Sequence, residues 1–303
     1  MKKQYLILIT NVIFVAFLIG TISIFAQTVP ARKITNPLIS EPGMSDPHML
    51  VVDDVCYVFT GHDVGFGVPE WVMTEWRIYR SEDLITWKHV GTIKPENNYM
   101  GKGNTECWAC DIVERNGKYY FYFSDRSRSF GVMVADKPEG PYVDVLGKPL
   151  VNSFDPHIFI DDDNTPYVLW GNTKYGIARL KDNMIELDEE PKTIVNDRKE
   201  TFPAMDKVTL HKYKDTYYLG CSGYYSTSKN VYGPYEYKGL LGEAYGLNTP
   251  YAHGDYFVWK ANWYFVWCKY INRKVDKVRD SFIAPIIYRE DGSMSADLSV
   301  MGN

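Results

Sequence analysis

An all-β, five-bladed propeller is the fold this sequence predicts, and three observations predict it. A short pattern returns five times at blade-like spacing, aromatic and turn-forming residues are abundant, and no stretch sustains helical periodicity. The pattern reads DPHMLVVDDVCYVF from residue 46, WACDIVERNGKYYFYFS from 108, DPHIFIDDDNTPYVLWG from 155, DKVTLHKYKDTYYLG from 206 and HGDYFVWKANWYFVW from 253. Each copy opens on Asp, Trp or His, enters a β-rich run, turns at polar residues and resumes on aromatics. Tyr57, Tyr119, Tyr167 and Tyr217 follow Asp46, Trp108, Asp155 and Asp206 by 11, 11, 12 and 11 residues. Because a propeller turns equivalent positions toward one shaft, three carboxylates are expected on a common axis.

The first 26 residues are of another kind. Lys2 and Lys3 precede an apolar run from Tyr5 to Phe25 that ends at Ala26 and Gln27, the pattern of a signal peptide and of an exported, periplasmic or extracellular protein. Ile24 stands where a small residue is usual before a cleavage site, and the run approaches the roughly 20 residues that span a bilayer, so an uncleaved anchor is the alternative. Residues 27–303 then form a single domain, in which five blades of about 55 residues use nearly the whole chain.

After a connecting segment over 28–39, the first blade begins at Ser45-Asp46-Pro47-His48, with strands expected at 49–52, 56–59, 77–79 and 87–90. Breakers mark the turns at Asp53-Asp54, Arg115-Asn116-Gly117 and 161–165. Ser81-x-Asp83-Leu84-x-x-Trp87 closes the first blade, and Gly140-Pro141-Tyr142 and Gly233-Pro234-Tyr235 recur at matching places in the second and fourth. The composition agrees: 24 Tyr, 14 Phe and 8 Trp suit strands, while 23 Gly and 16 Pro punctuate them.

A net charge of −5 leaves no basic footprint for nucleic acid. Five cysteines, Cys56, Cys107, Cys110, Cys221 and Cys268, are an odd number, so at least one stays outside any disulfide. Cys107-Trp-Ala-Cys110 has CxxC spacing without a second pair or a histidine to complete a zinc site, and the five read as small buried hydrophobes.

Asp46 and Asp155 each open an Asp-Pro-His triplet ahead of an apolar strand. Proline fixes the backbone beside the carboxylate and adds no competing amide, and two such carboxylates suit hydrolysis, one activating water while another supports or tunes it. Asp-Pro is also an ordinary turn opener, but its duplication in register favours chemistry. Trp108 holds the axial register of the second blade, where its face could stack on a ring or simply pack. Gly61-His62-Asp63 and Ser124-Asp125-Arg126 fall where strand ends would open onto a ligand face, making His62 and Arg126 candidate binding residues.

These motifs resemble family 43 of the glycoside hydrolases, five-bladed propellers that act on arabinose- and xylose-containing glycans. The resemblance rests on Ser45-Asp46-Pro47-His48, Ser81-x-Asp83-Leu84-x-x-Trp87, Trp108-Ala109-x-Asp111, Asn116-Gly117-Lys118-Tyr119-Tyr120, Phe154-Asp155-Pro156, Tyr217-Tyr218-Leu219 and Asp291-Gly292, and covers essentially all of 27–303. It implies inversion at the anomeric centre, Asp46 as general base, Asp155 as the carboxylate that tunes the acid, and an oligo- or polysaccharide substrate, with arabinofuranosides, xylosides or galactofuranosides all open and the chain a monomer. The family's acid is a Glu in the fourth blade; the matching register here holds Asp206. The acid is therefore Asp206, or Glu200 just upstream, or the chain is a glycan-binding propeller that has lost catalysis. Lys207, beside Asp206, could pair with substrate or a carboxylate. His253 matches an axial histidine that in many members faces calcium or water in the shaft; no cofactor is required, and calcium near His253 is the one ion the resemblance leaves room for. His48 and His157 are read as orienting their blades.

Overall fold

The computed structural model describes residues 34–126, 128–172, 174–196, 207–249, 252–271 and 277–301. The leader at 1–26 and both candidate acids, Asp206 and Glu200, lie outside them.

Twenty strands among the described residues pair antiparallel into five four-stranded sheets, each made of consecutive strands. The first blade holds β1 (Met44–Val52), β2 (Val55–Asp63), β3 (Met73–Ser81) and β4 (Lys88–Ile93). The second holds β5 (Cys107–Arg115), β6 (Lys118–Asp125), β7 (Ser129–Ala135) and β8 (Val143–Asp144); the third β9 (His157–Ile160), β10 (Pro166–Trp170), β11 (Gly176–Arg179) and β12 (Lys192–Thr193). The fourth comprises β13 (Val208–Tyr213), β14 (Thr216–Cys221), β15 (Tyr224–Ser228) and β16 (Glu236–Leu240), and the fifth β17 (Gly254–Trp259), β18 (Asn262–Tyr270), β19 (Arg279–Tyr288) and β20 (Met294–Ala296). The only described helices are single 3₁₀ turns at Pro95–Asn97 and Leu298–Val300, as the missing helical period requires. The five-bladed, all-β expectation holds.

Five apolar clusters, one between each pair of neighbouring blades, take the place of one central core. Alternation along each strand makes this work, because successive side chains face opposite neighbours. Along β6, Phe121 and Phe123 pack toward the first blade while Tyr120 and Tyr122 pack toward the third. The segment before β1 closes the ring against the fifth blade: Leu38 N–H donates to Ser281 O at 2.7 Å, and Asn36 exchanges bonds with the Ile283 backbone at 2.9 and 3.1 Å.

The quoted motifs have structural jobs. Ser81 Oγ accepts from Leu84 N–H at 2.9 Å and Asp83 Oδ1 from Thr86 N–H at 2.8 Å, turning the chain into β4. Tyr142 and Tyr235, of the two Gly-Pro-Tyr turns, are buried and each donates to the carbonyl four residues back, Pro138 and Val231, at 2.9 and 2.7 Å. All five cysteines are buried and form no disulfide, in keeping with the reading as small hydrophobes.

In β1 the pairs Ser45↔Gly61 and His48↔Phe59 bracket one extra residue, so Asp46 and Pro47 sit in a bulge; in β5 Trp108 and Ala109 sit in the same bulge between Cys107↔Asp125 and Cys110↔Phe123. Ahead of β9, Gly171 N–H bonds to Phe154 O and His157 pairs with Leu169, which leaves Asp155 and Pro156 in the corresponding place. In the fourth blade pairing begins at Val208↔Cys221, two residues after Asp206, as it begins at His157 two residues after Asp155 and resumes at His48 two residues after Asp46.

Candidate active site

The bulges decide where the carboxylates go. A bulge re-aims the side chain it contains, and Asp46 and Asp155 adopt left-handed backbone with φ of 48° and 57°, a conformation that Asp tolerates better than most residues. Both carboxylates, with Trp108 and Ala109, line one small pocket at the shaft mouth; Trp71, Met73, Phe154, His253 and Arg279 complete its walls. Two of the three acids on the expected common axis thus share a site, and Trp108 stands beside them as its register predicted. Trp71 meets Trp108 edge to face at 5.8 Å, and Lys277 Nζ lies 4.1 Å above the Trp71 ring, so the aromatic wall is braced from behind. Trp76 Nε1 donates to Trp108 O at 2.6 Å and fixes that segment from below.

Asp46, 2 % exposed, is clamped. Arg279 grips it in bidentate fashion, Nη1 to Oδ1 at 2.6 Å and Nη2 to Oδ2 at 2.9 Å. The same guanidinium bonds Asp63 through Nε at 3.0 Å and Nη2 at 3.1 Å, and the Arg279 N–H adds a third bond to Asp63 at 2.9 Å. His253 Nδ1 lies 2.9 Å from Asp46 Oδ1. Burial pushes the Asp46 carboxyl upward, but Arg279 and His253 outweigh it and hold it well below the usual carboxylate range. Asp63 ends on the other side: burial dominates Arg279 and raises it to about 6. Asp46 is therefore held in its ionised form, while Asp63 is held toward its protonated form in mild acid.

Asp155 is 2 % exposed and its backbone N–H is held by Ser124 Oγ at 2.9 Å. The two loops expected to bind ligand thus act one and two residues away from the candidates: Asp63 anchors Arg279 and Ser124 anchors Asp155. His62 instead contacts Glu75 at 3.3 Å, and Arg126 pairs with Glu106; neither lines the pocket. Strand alternation explains the miss for His62, since it and Asp63 point to opposite faces of β2. His253 is a pocket residue, and its Nδ1 faces Asp46.

Beneath the pocket the shaft is polar. Asp111 Oδ2 accepts from Ile158 N–H at 2.8 Å, and Asp255 Oδ2 from Met49 N–H at 3.1 Å, so each carboxylate ties one blade to another. His48 and His157 flank Asp111, with Nδ1 atoms 3.2 and 2.9 Å from its oxygens. Burial lowers His48 further than Asp111 restores it, whereas in His157 the Asp111 charge prevails over burial and the pKa is raised. Both histidines position blades, as expected. Lys207 does not line the pocket: it is buried, contacts His48 Nε2 and donates to Cys110 O at 2.6 Å, and its charge helps to keep Asp46 ionised.

Sequence reading missed Arg279, Asp63 and Trp71 as pocket or clamp residues. The one local signal was Arg279 itself, a charge opening the strand run RDSFIAPIIY, whose residues are otherwise mostly apolar.

Comparison with known proteins agrees with this geometry. The sequence is 29 % identical to a xylosidase/arabinosidase of Bacteroides ovatus, over 73 % of this chain and 84 % of the relative. It is 26 % identical to an arabinoxylan arabinofuranohydrolase of Paenibacillus polymyxa, over all of this chain but 58 % of the longer relative. The fold superposes on the crystal structure of a GH43 enzyme from Xanthomonas citri in complex with xylotriose, with a TM-score of 0.75 at 23 % identity, covering 86 % of this chain and 92 % of that one. The model of Glycosyl hydrolases family 43 matches residues 34–294. The chain is a glycosidase on five blades and belongs to family 43 of the glycosyl hydrolases.

Proposed function

We propose that the chain is an exported glycosidase that inverts the anomeric centre of xylosyl, arabinofuranosyl or galactofuranosyl linkages in plant-type glycans. The observation that carries this reading is the pairing of Asp46 and Asp155 in one aromatic-walled pocket. Asp46, kept ionised by Arg279 and His253, accepts a proton from the attacking water. Asp155 orients and tunes the acid, which is Asp206 or Glu200. The relatives' names support the sugars: a xylosidase/arabinosidase, an arabinoxylan arabinofuranohydrolase and a β-D-galactofuranosidase of Aspergillus niger, 29 % identical over 54 % of this chain. The N-terminal leader pattern supports export.

The test is hydrolysis of p-nitrophenyl arabinofuranoside, xyloside and galactofuranoside by wild type, Asp206→Asn and Glu200→Gln, with the anomer first formed followed by proton NMR. Turnover of one substrate with inverted product, lost in one of the two variants, is the expected result and names the acid. Retained configuration would overturn the inverting assignment, and no turnover together with glycan binding would overturn the hydrolase reading.

Trp108 gives a separate check on the pocket wall. Trp108→Ala removes a stacking face and leaves both carboxylates in place, so KM is expected to rise about tenfold while kcat changes little. Steady-state kinetics on the best aryl glycoside measures it, and an unchanged KM would assign Trp108 to packing alone.

A further inference from the structure

The shaft below the pocket gathers His48, His157 and Asp255, whose ligating atoms all lie within 4.8 Å of one another, a spacing a metal ion could use. The donors do not fit calcium. Calcium takes six to eight oxygens, and two of these three groups are imidazoles, which offer nitrogen. His48 receives Lys207 at Nε2 and turns Nδ1 toward Asp111 and Asp255, at 3.2 and 3.5 Å. His157 faces the Leu210 carbonyl through Nε2 at 3.0 Å and Asp111 through Nδ1 at 2.9 Å. The Leu210 carbonyl is an acceptor, so Nε2 of His157 carries a proton and has no lone pair to offer.

The shaft already holds a fixed cation, the Lys207 ammonium, set against His48 Nε2 and the Cys110 carbonyl. Lys207 is 1 % exposed, and lysine is almost never so buried unless it is paired. Its backbone is left-handed, with φ of 51°, a conformation uncommon outside Gly, Asn and Asp, which the surroundings must hold in place.

We infer that Lys207 is the built-in cation of the shaft: an ammonium tethered to the fourth blade stands where a metal ion would otherwise balance the carboxylates. It also fixes the floor of the pocket. His48 lies two residues after Asp46, Cys110 two after Trp108, and Lys207 directly follows Asp206, so one ammonium joins the segments that carry the base, the aromatic wall and a candidate acid.

The experiment compares the leaderless wild-type protein with Lys207→Met and Lys207→Ser by thermal melting, with EDTA, CaCl₂ or methylammonium chloride added, and assays bound metal by mass spectrometry. Wild type is expected to carry no stoichiometric metal and to keep its Tm in EDTA and in calcium. Lys207→Met, which leaves the carboxylates without their cation, is expected to lose about 10 °C in Tm. In Lys207→Ser the emptied site is expected to make Tm rise with added methylammonium, which restores the lost ammonium, and not with calcium; wild type lacks this response to methylammonium. Stoichiometric calcium in wild type, or a Tm that falls in EDTA, overturns the inference even if neither variant folds. A Lys207→Ser protein that folds but ignores methylammonium overturns it as well.

Discussion

Asp46→Asn is expected to lower kcat/KM on the best glycoside by about 10²- to 10⁴-fold, the range for loss of a positioned general base. The amide keeps the shape of the carboxyl but cannot take a proton from water. The comparison that isolates chemistry is Asp63→Asn in the same buried network. Asp63 touches Arg279 rather than the pocket interior, and with a pKa raised to about 6 it is already partly protonated in mild acid. An amide there approximates a state the wild type visits, so Asp63→Asn is expected to retain kcat/KM within about tenfold of wild type. Initial rates for both variants, with circular dichroism melts to confirm folding, measure the difference. If Asp46→Asn keeps activity within tenfold, or the two variants fall equally, Asp46 is a structural anchor and the base lies elsewhere.

The pair of Asp-Pro-His triplets was legible because it is local: a carboxylate, a proline and an apolar strand in a few residues, repeated in register. Trp108 was legible through the same register, since it sits in a β5 bulge that corresponds to the β1 bulge holding Asp46. The blades were legible through their turns and aromatic runs. What sets the ionisation of Asp46 was not, because its partner Arg279 is 233 residues away in the chain and meets it only when the fifth blade closes on the first. Asp63 lay within a loop singled out for binding, yet its neighbour His62 was chosen; adjacent strand residues face opposite ways, and sequence spacing alone does not say which face is inside. Lys207 was misjudged in a similar way. Beside an acid it suggested a contact with substrate or a carboxylate, while its side chain runs into the shaft to His48 and the Cys110 carbonyl.

Arg279→Met is expected to cost about 3–5 kcal/mol of stability, the scale for removing one partner of a buried ion pair and leaving the charge behind. Two carboxylates lose their cation together, so the loss belongs at the upper end of that range. Its pH dependence carries the sharper sign. In wild type Asp46 has a depressed pKa, so its contribution is fully present above the unfolded value of about 3.9 and is lost as pH falls toward the lower folded value. Asp63 acts oppositely: raised to about 6, it costs stability as pH climbs from about 4 through 6. Without Arg279, burial is left to dominate both groups, both folded pKa values move up, and both then favour the folded state at lower pH. Melts from pH 7 down to pH 5 should therefore show the variant gaining Tm on acidification and narrowing its deficit against wild type. The acid limb of its kcat/KM profile should move upward at the same time, because Asp46 now titrates within the working range and is inactive as a base when protonated. A variant whose deficit is constant across this pH span would mean that Arg279 stabilises by packing, and that the ionisation of Asp46 is set by His253 instead.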